Sequence, residues 1–172
     1  MPDNNQSNLR KLFADDMLSV FAILDGASVP DLLARLDQHK PDYVCLYRGV
    51  LEPDIASVAP YLVHLQVDAE LTNWIVSEGW GKHWGIFALS SSDLHGLRQH
   101  FRRLLTVYDP NNKPVLFRFY DPRVLRKYLP TCNVGELESM FGPTRSFIVE
   151  DEDGKGAFHF HVASGSLKCD KV

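Results

Sequence analysis

A chain of 172 residues, 45% apolar and 23% charged, is long enough to bury a core of its own as one soluble domain without disulfides or metals. Its net charge of −4 offers no footprint for DNA or RNA, and no apolar run reaches the roughly 20 residues needed to span a bilayer. The three cysteines, Cys45, Cys132 and Cys169, are odd in number, far apart and free of a CxxC pair, which argues for reduced thiols in a cytoplasm and against a disulfide scaffold or a zinc site.

The polar start MPDNNQSN lacks an apolar h-region, so no secretory signal is expected, and residues 1–16 read as a polar segment with room for a short helix. Residues 17–24, MLSVFAIL, form a nearly continuous apolar run ended by Asp25-Gly26, which predicts a strand buried on both faces. A short helix is expected over 30–38 with Pro30 near its first turn, a second strand over 43–47, and one or two helical turns over 52–58. In PYLVHLQV, Tyr61, Val63, Leu65 and Val67 alternate with Leu62, His64 and Gln66, which predicts one buried and one mixed face. Residues 70–79 predict a helix carrying Trp74, GWGKHWG (79–85) a loop, and IFALS (86–90) a third apolar strand. The segment 91–105 gives the clearest helix, capped by Ser91 or Ser92, with Leu94, Leu97, Phe101 and Leu104 at helical spacing and Gly96 weakening it. TVYDPNNKPVLFRFY predicts a hairpin around Asp109, Pro110, Asn111 and Asn112.

Two short helices follow at about 122–129 and 133–141, the second ended by Gly142-Pro143. Two strand-like pieces, TRSFIVE and AFHFHV, flank the acidic turn DEDGKG, and the polar end SGSLKCDKV is expected to fray. Strands and helices alternate early, and hairpins dominate late. The expectation is an α/β fold, with α+β as the alternative: a single domain whose mixed β-sheet is flanked by helices, with residues 17–143 as its body and 144–172 as a short C-terminal strand hairpin and tail.

The chemistry centres on VLFRFYDPRVL, residues 115–125. Read as a strand, it places Arg118 between Leu116 and Tyr120 on a half-apolar face. A guanidinium there needs a carboxylate, backbone carbonyls, an aromatic face or a partner protein. Asp121 suits a helix N-cap and Pro122 the first helical position. Either Arg118 pairs internally and Asp121 only caps the helix, or Arg118 and Arg123 stand on a recognition surface. On the helix 91–105, His95, Arg98 and Arg102 lie at i, i+3 and i+7 and form one basic stripe, flanked by His100 and Arg103. That stripe is either a solvated face or a mate for an acidic segment. Trp74, Trp80 and Trp84 fall close together, and tryptophan in a loop is either a lid over the core or an anchor for a partner.

His159 and His161 stand at i, i+2 on a strand and can share a face, but no HExxH and no third ligand at a diagnostic spacing accompanies them, so no metal site is expected. GxSxG, Walker A and GxGxxG are all missing from the sequence, and no cofactor is expected. Aromatic and arginine surfaces outweigh catalytic constellations, the composition of a protein-binding module rather than an enzyme.

The ordered series ILDGA (23–27), CLYRG (45–49), APYLVHL (59–65), HWGIFALSSSDLHGLRQHFRRLL (83–105), VLFRFYDPRVL (115–125) and FGP (141–143) closely resembles domain of unknown function 4123, the adaptor chaperones of bacterial type VI secretion. The resemblance implies an adaptor domain over 17–143 that is cytoplasmic, free of cofactors and not an enzyme. It implies binding to the N-terminal region of one cognate effector, and loading of that effector onto the trimeric valine–glycine repeat spike (VgrG) or its proline–alanine–alanine–arginine (PAAR) tip. Many members carry a longer C-terminal helical lobe than the thirty or so residues found here.

The family's RFYDPR suits a structural pin in which Arg118 reaches an acidic residue such as Asp25, while Asp121 caps the next helix. The expected partner surface is a groove near Trp80, Trp84 and Tyr120, with Arg98, Arg102 and Arg123 meeting acidic residues by helix-in-groove or strand addition. The competing readings are an immunity-type protein that blocks a toxin's active site, and a small hydrolase-like enzyme using the histidines.

Overall fold

A computed structural model describes residues 4–15 and 17–172. Its centre is β1 (Ser19–Asp25), the apolar run read from the sequence. With β2 (Tyr43–Cys45), β3 (Pro60–Leu65), β4 (Gly85–Ser90), β7 (Thr144–Glu150), β8 (Ala157–Ala163) and β9 (Ser166–Lys171) it forms a seven-stranded sheet in the order β2-β3-β1-β4-β7-β8-β9. A separate hairpin joins β5 (Thr106–Tyr108) to β6 (Pro114–Leu116). The mixture of helices and strands, the flanking helices and the C-terminal strands are those the sequence predicts. The pairings differ from the mixed sheet expected: each one is antiparallel.

The reason lies in the helices. Antiparallel sheets often leave one face to water, whereas this one is covered on both. On the first face, α1 (Asn4–Phe13), α2 (Leu32–His39) and α4 (Glu70–Gly79) bring Leu9, Phe13, Leu32, Leu36, Leu71 and Ile75 onto Val20, Ala22, Leu24, Val63 and Phe87. On the second, α5 (Leu94–Leu104), α6 (Pro122–Tyr128) and α7 (Val134–Phe141) bring Leu97, Phe101, Leu125 and Met140 onto Phe21, Ile23, Leu62, Ile86 and Phe147. Central strands buried on both sides are apolar throughout, and a run of that kind carries no signature of strand direction. Close approach at the centre needs glycine: a Cβ on Gly85 would lie 2.1 Å from the Ile23 carbonyl oxygen.

Local chemistry moves two boundaries. The cap of α5 is Asp93, not Ser91 or Ser92; its carboxylate accepts from the Gly96 amide at 2.8 Å. A carboxylate next to the first helical residue also suits the positive end of the helix dipole. The polar tail is a strand rather than a frayed end. Ser164 and Gly165 both take positive φ, 51° and 71°, and turn the chain back so that β9 pairs along β8 from Phe158↔Lys171 to Ala163↔Ser166. The remaining short helix, α3 (Pro53–Val58), opens on Pro53 as its sequence suggests. No helix of the described residues is long and apolar enough to cross a membrane.

Candidate functional site

Arg118 does not lie within a strand. β6 stops at Leu116, the Phe117 amide turns to the Leu105 carbonyl at 2.8 Å, and a tight turn closes when the Asp121 amide reaches the Arg118 carbonyl at 3.0 Å. That turn lets the consecutive rings of Phe119 and Tyr120 both enter the second core, which strand alternation forbids. Arg118 Nη2 donates to Asp25 Oδ2 at the end of β1, and its guanidinium lies 5.8 Å from the centroid of the Tyr120 ring. Asp25 is fully buried, and it also accepts from the Ala27 amide at 3.0 Å and from the Ser28 hydroxyl at 2.9 Å. Asp121 caps α6 through the Arg123 amide at 2.9 Å and binds the Arg123 side chain twice, at 3.0 and 2.8 Å. Burial alone would raise the Asp121 pKa; the bonds from Arg123 overcome it and hold the carboxyl below its ordinary value. Arg118 and Asp25 form one ion pair and Asp121 and Arg123 a second, joined through the turn in which the Asp121 amide reaches the Arg118 carbonyl.

Trp80, Trp84 and Tyr120 do not line the one groove expected: a small hollow reaches Trp80 and Trp84, and Tyr120 is not part of it. Trp84 is buried in the first core with Trp74 at 4.7 Å between ring centroids, and Trp80 stacks on Phe87 there. Tyr120 belongs to the second core, across the sheet. The GWGKHWG loop works as a lid: buried Glu150 accepts from the Gly81 amide at 2.7 Å and pairs with His83. Arg102 is also spoken for, since its guanidinium donates to the carbonyls of Leu46, Cys45 and Tyr47 at 3.1, 2.9 and 3.1 Å. Burial, then the like charges of Arg98 and Arg48, lower its pKa below the usual guanidinium value. Nothing in the sequence marks this clamp, because its acceptors are backbone atoms.

An open surface lies beside β2. Two adjoining hollows, about 480 and 420 Å³, share Tyr43, Asp93 and Leu94. The first continues to Asp42, His64, Ser91 and Ser92, and the second to Val44, His95 and Arg98. Both ends are more apolar than polar and they share Asp93; the first adds the carboxylate of Asp42 and the second the guanidinium of Arg98. Arg98 Nη2 lies 3.0 Å from His95 Nδ1, while its Nε is shut off from solvent with no hydrogen-bond partner. Among the described residues β2 pairs with no strand but β3; Arg102 holds its Cys45 carbonyl, which leaves the Tyr43 end of the edge beside the groove. Exposed apolar side chains continue along the chain from Tyr43 to Val50, Ile55 and Val58, and a second set, Val107, Tyr108, Val115 and Leu116, stands on the β5–β6 hairpin.

His100 is buried on α5 and bonds the Met140 carbonyl at 3.0 Å; burial lowers its pKa, and the Met140 bond only partly counters this. It packs so closely on the turn after α7 that a Cβ at Gly142, where φ is +48°, would lie 2.4 Å from the ring. His159 and His161 share one face of β8, as their spacing predicts, with ring centroids 5.4 Å apart. Burial, then the charge of His161, lowers the His159 pKa.

Comparison with curated proteins and with solved structures gives no significant match. The family described as Domain of unknown function (DUF4123) matches over residues 20–139, from the second residue of β1 to within α7, and the chain belongs to that family.

Proposed function

We propose that this protein is an adaptor chaperone of type VI secretion. In the cytoplasm it binds the N-terminal region of a cognate effector and brings it to the spike protein or its tip. The observation that carries this reading is the groove beside β2, an unpaired strand edge flanked by Tyr43, Leu94 and Arg98. An extended segment can add to that edge through its backbone, lay an apolar side chain between Tyr43 and Leu94, and give a carboxylate to the Arg98 guanidinium that lines the groove. Of the three arginines expected to meet acidic cargo, Arg98 is the one left to do so, because Arg102 holds carbonyls at the end of β2 and just after it and Arg123 holds Asp121.

The test is co-purification of the tagged protein from its host, with the recovered partner cut into N-terminal and C-terminal halves. The reading expects a large secreted toxin held through its N-terminal half, with its toxic activity intact. Arg98→Glu lowers that affinity at least about tenfold, as for loss of a charge-assisted contact, and leaves the melting temperature unchanged. Binding to the toxin's catalytic half with loss of its activity replaces the adaptor by an immunity protein. Recovery of no partner sinks both.

A further inference from the structure

We propose that His159, His161 and Asp170 form a binding site for one divalent transition-metal ion of the zinc type. The site lies at the opposite edge of the sheet from the groove, so it stands or falls independently of the adaptor reading. His159 and His161 project from the same face of β8, and Asp170 is the direct cross-strand partner of His159 on β9. The three ligand atoms lie within 4.8 Å of one another. Both Nδ1 atoms face the Asp170 carboxylate, at 4.0 Å from His159 and 3.7 Å from His161. Neither distance is a hydrogen bond. The His161 Nδ1 is shut off from solvent and has no hydrogen-bond partner. A buried ring nitrogen without a partner is uncommon, and a metal ion is one group that satisfies it.

The donor set suits the proposal. The two imidazole nitrogens are borderline ligands that favour zinc and its neighbours over calcium or magnesium, and the single hard carboxylate oxygen is one that zinc also accepts. Bonds of about 2.0–2.2 Å in a tetrahedral arrangement would set the donors roughly 3.3 Å apart, so the present cluster must close by roughly 0.5–1.5 Å. Exposed Asp170 can close its own gaps of 4.0 and 3.7 Å by a small side-chain movement, and any wider gap, between the two rings, closes by their rotation. Three protein ligands leave a fourth position open to water or to a partner's side chain. Lys168, opposite His161 on β9, shares this face; it is exposed, and its flexible stem allows the ammonium to swing into solvent. Its charge keeps the affinity below that of a closed structural site. A bound ion would tie β9 to β8 by their side chains as well as by their backbones.

The full chain, with any polyhistidine tag removed, is titrated with Zn²⁺ by calorimetry while its melting temperature is followed. The expected result is one ion per chain and a melting temperature raised by several degrees at saturation. His161→Gln abolishes both effects, Asp170→Asn weakens binding at least about tenfold, and His95→Ala, an exposed ring on α5, changes neither. Asp170 lies on an exposed edge strand, so its variant keeps the test valid if a histidine variant fails to fold. Absence of Zn²⁺ binding overturns the site. So does binding that keeps its full affinity in Asp170→Asn or survives loss of both histidines.

Discussion

At one edge of the sheet β2 offers three residues, and at the other β9 offers six. Any unpaired strand invites another, and the two edges meet that hazard by different means. β9 is long but polar: Lys168, Asp170 and Lys171 line it, and apolar cargo has little to hold there. β2 is short, and the carbonyls of the chain leaving it are gripped by Arg102. Beside it lie Tyr43, Val44 and Leu94 and a groove lined by the Arg98 guanidinium. Charge guards the first edge against all comers. Brevity and a clamp leave the second open to a partner of the right shape.

The largest effect comes from attacking the frame both edges share. Arg118→Ala strips the buried Asp25 carboxylate of its charge partner at the end of the central strand, and the fold should lose about 3 kcal/mol. Urea unfolding followed at both edges should give one coincident, earlier transition; a normal midpoint would show that Asp25 is held by its turn bonds alone. Next is Arg102→Ala, which removes three hydrogen bonds from a charged donor and should cost about 2 kcal/mol. Arg102→Lys should recover little, since an ammonium cannot span three carbonyls as a planar fork does. Hydrogen exchange should quicken at β2 and the residues after it and stay unchanged at β9, and equal quickening at both edges would erase the contrast drawn here.

Acidity acts on the interior of the sheet and on one edge. His100 holds α5 to the end of α7, just before β7, and His159 borders β9; burial lowers the pKa of each in the folded chain. The unfolded chain then binds more protons below the ordinary histidine value of about 6.5, so stability is full above it and falls as pH drops through that window. His100→Gln should flatten part of the slope measured between neutral and mildly acidic pH, and an unaltered slope would acquit that ring. The smallest effect on stability, within about 0.5 kcal/mol, is expected of Lys168→Val. Its consequence is association: without that charge β9 should self-pair at high concentration, visible as a rising mass in light scattering. A variant that stays monomeric would show that β9 is guarded by something other than its charges.

Much of the framework is legible in the residues. The apolar runs of β1, β3 and β4, the helix over 70–79, and the Asp121-Pro122 start of α6 all read correctly, because each depends on local pattern or local capping. What stays hidden depends on the other side of a contact. Strand direction is invisible when both faces are buried. The polarity of SLKCDK looks like a loose end until β8 supplies its backbone partners, and with β9 unread the third member of the His159–His161 cluster has nowhere to stand. Trp84 and Tyr120 look like neighbours in a recognition surface because both are large and aromatic; only the sheet between them separates the two cores.

The strand order also sets a timetable. β7, β8 and β9 follow one another through short turns, so this meander can form from local contacts alone. The middle of the sheet cannot. β4 meets β7 only after α5, the β5–β6 hairpin, α6 and α7 have been laid down between them. On a chain growing from its N-terminus, Phe87, Ala88 and Leu89 wait on an open edge until the last part of the sequence emerges. The half-made protein thus exposes the kind of strand that the finished one spends its outer residues guarding.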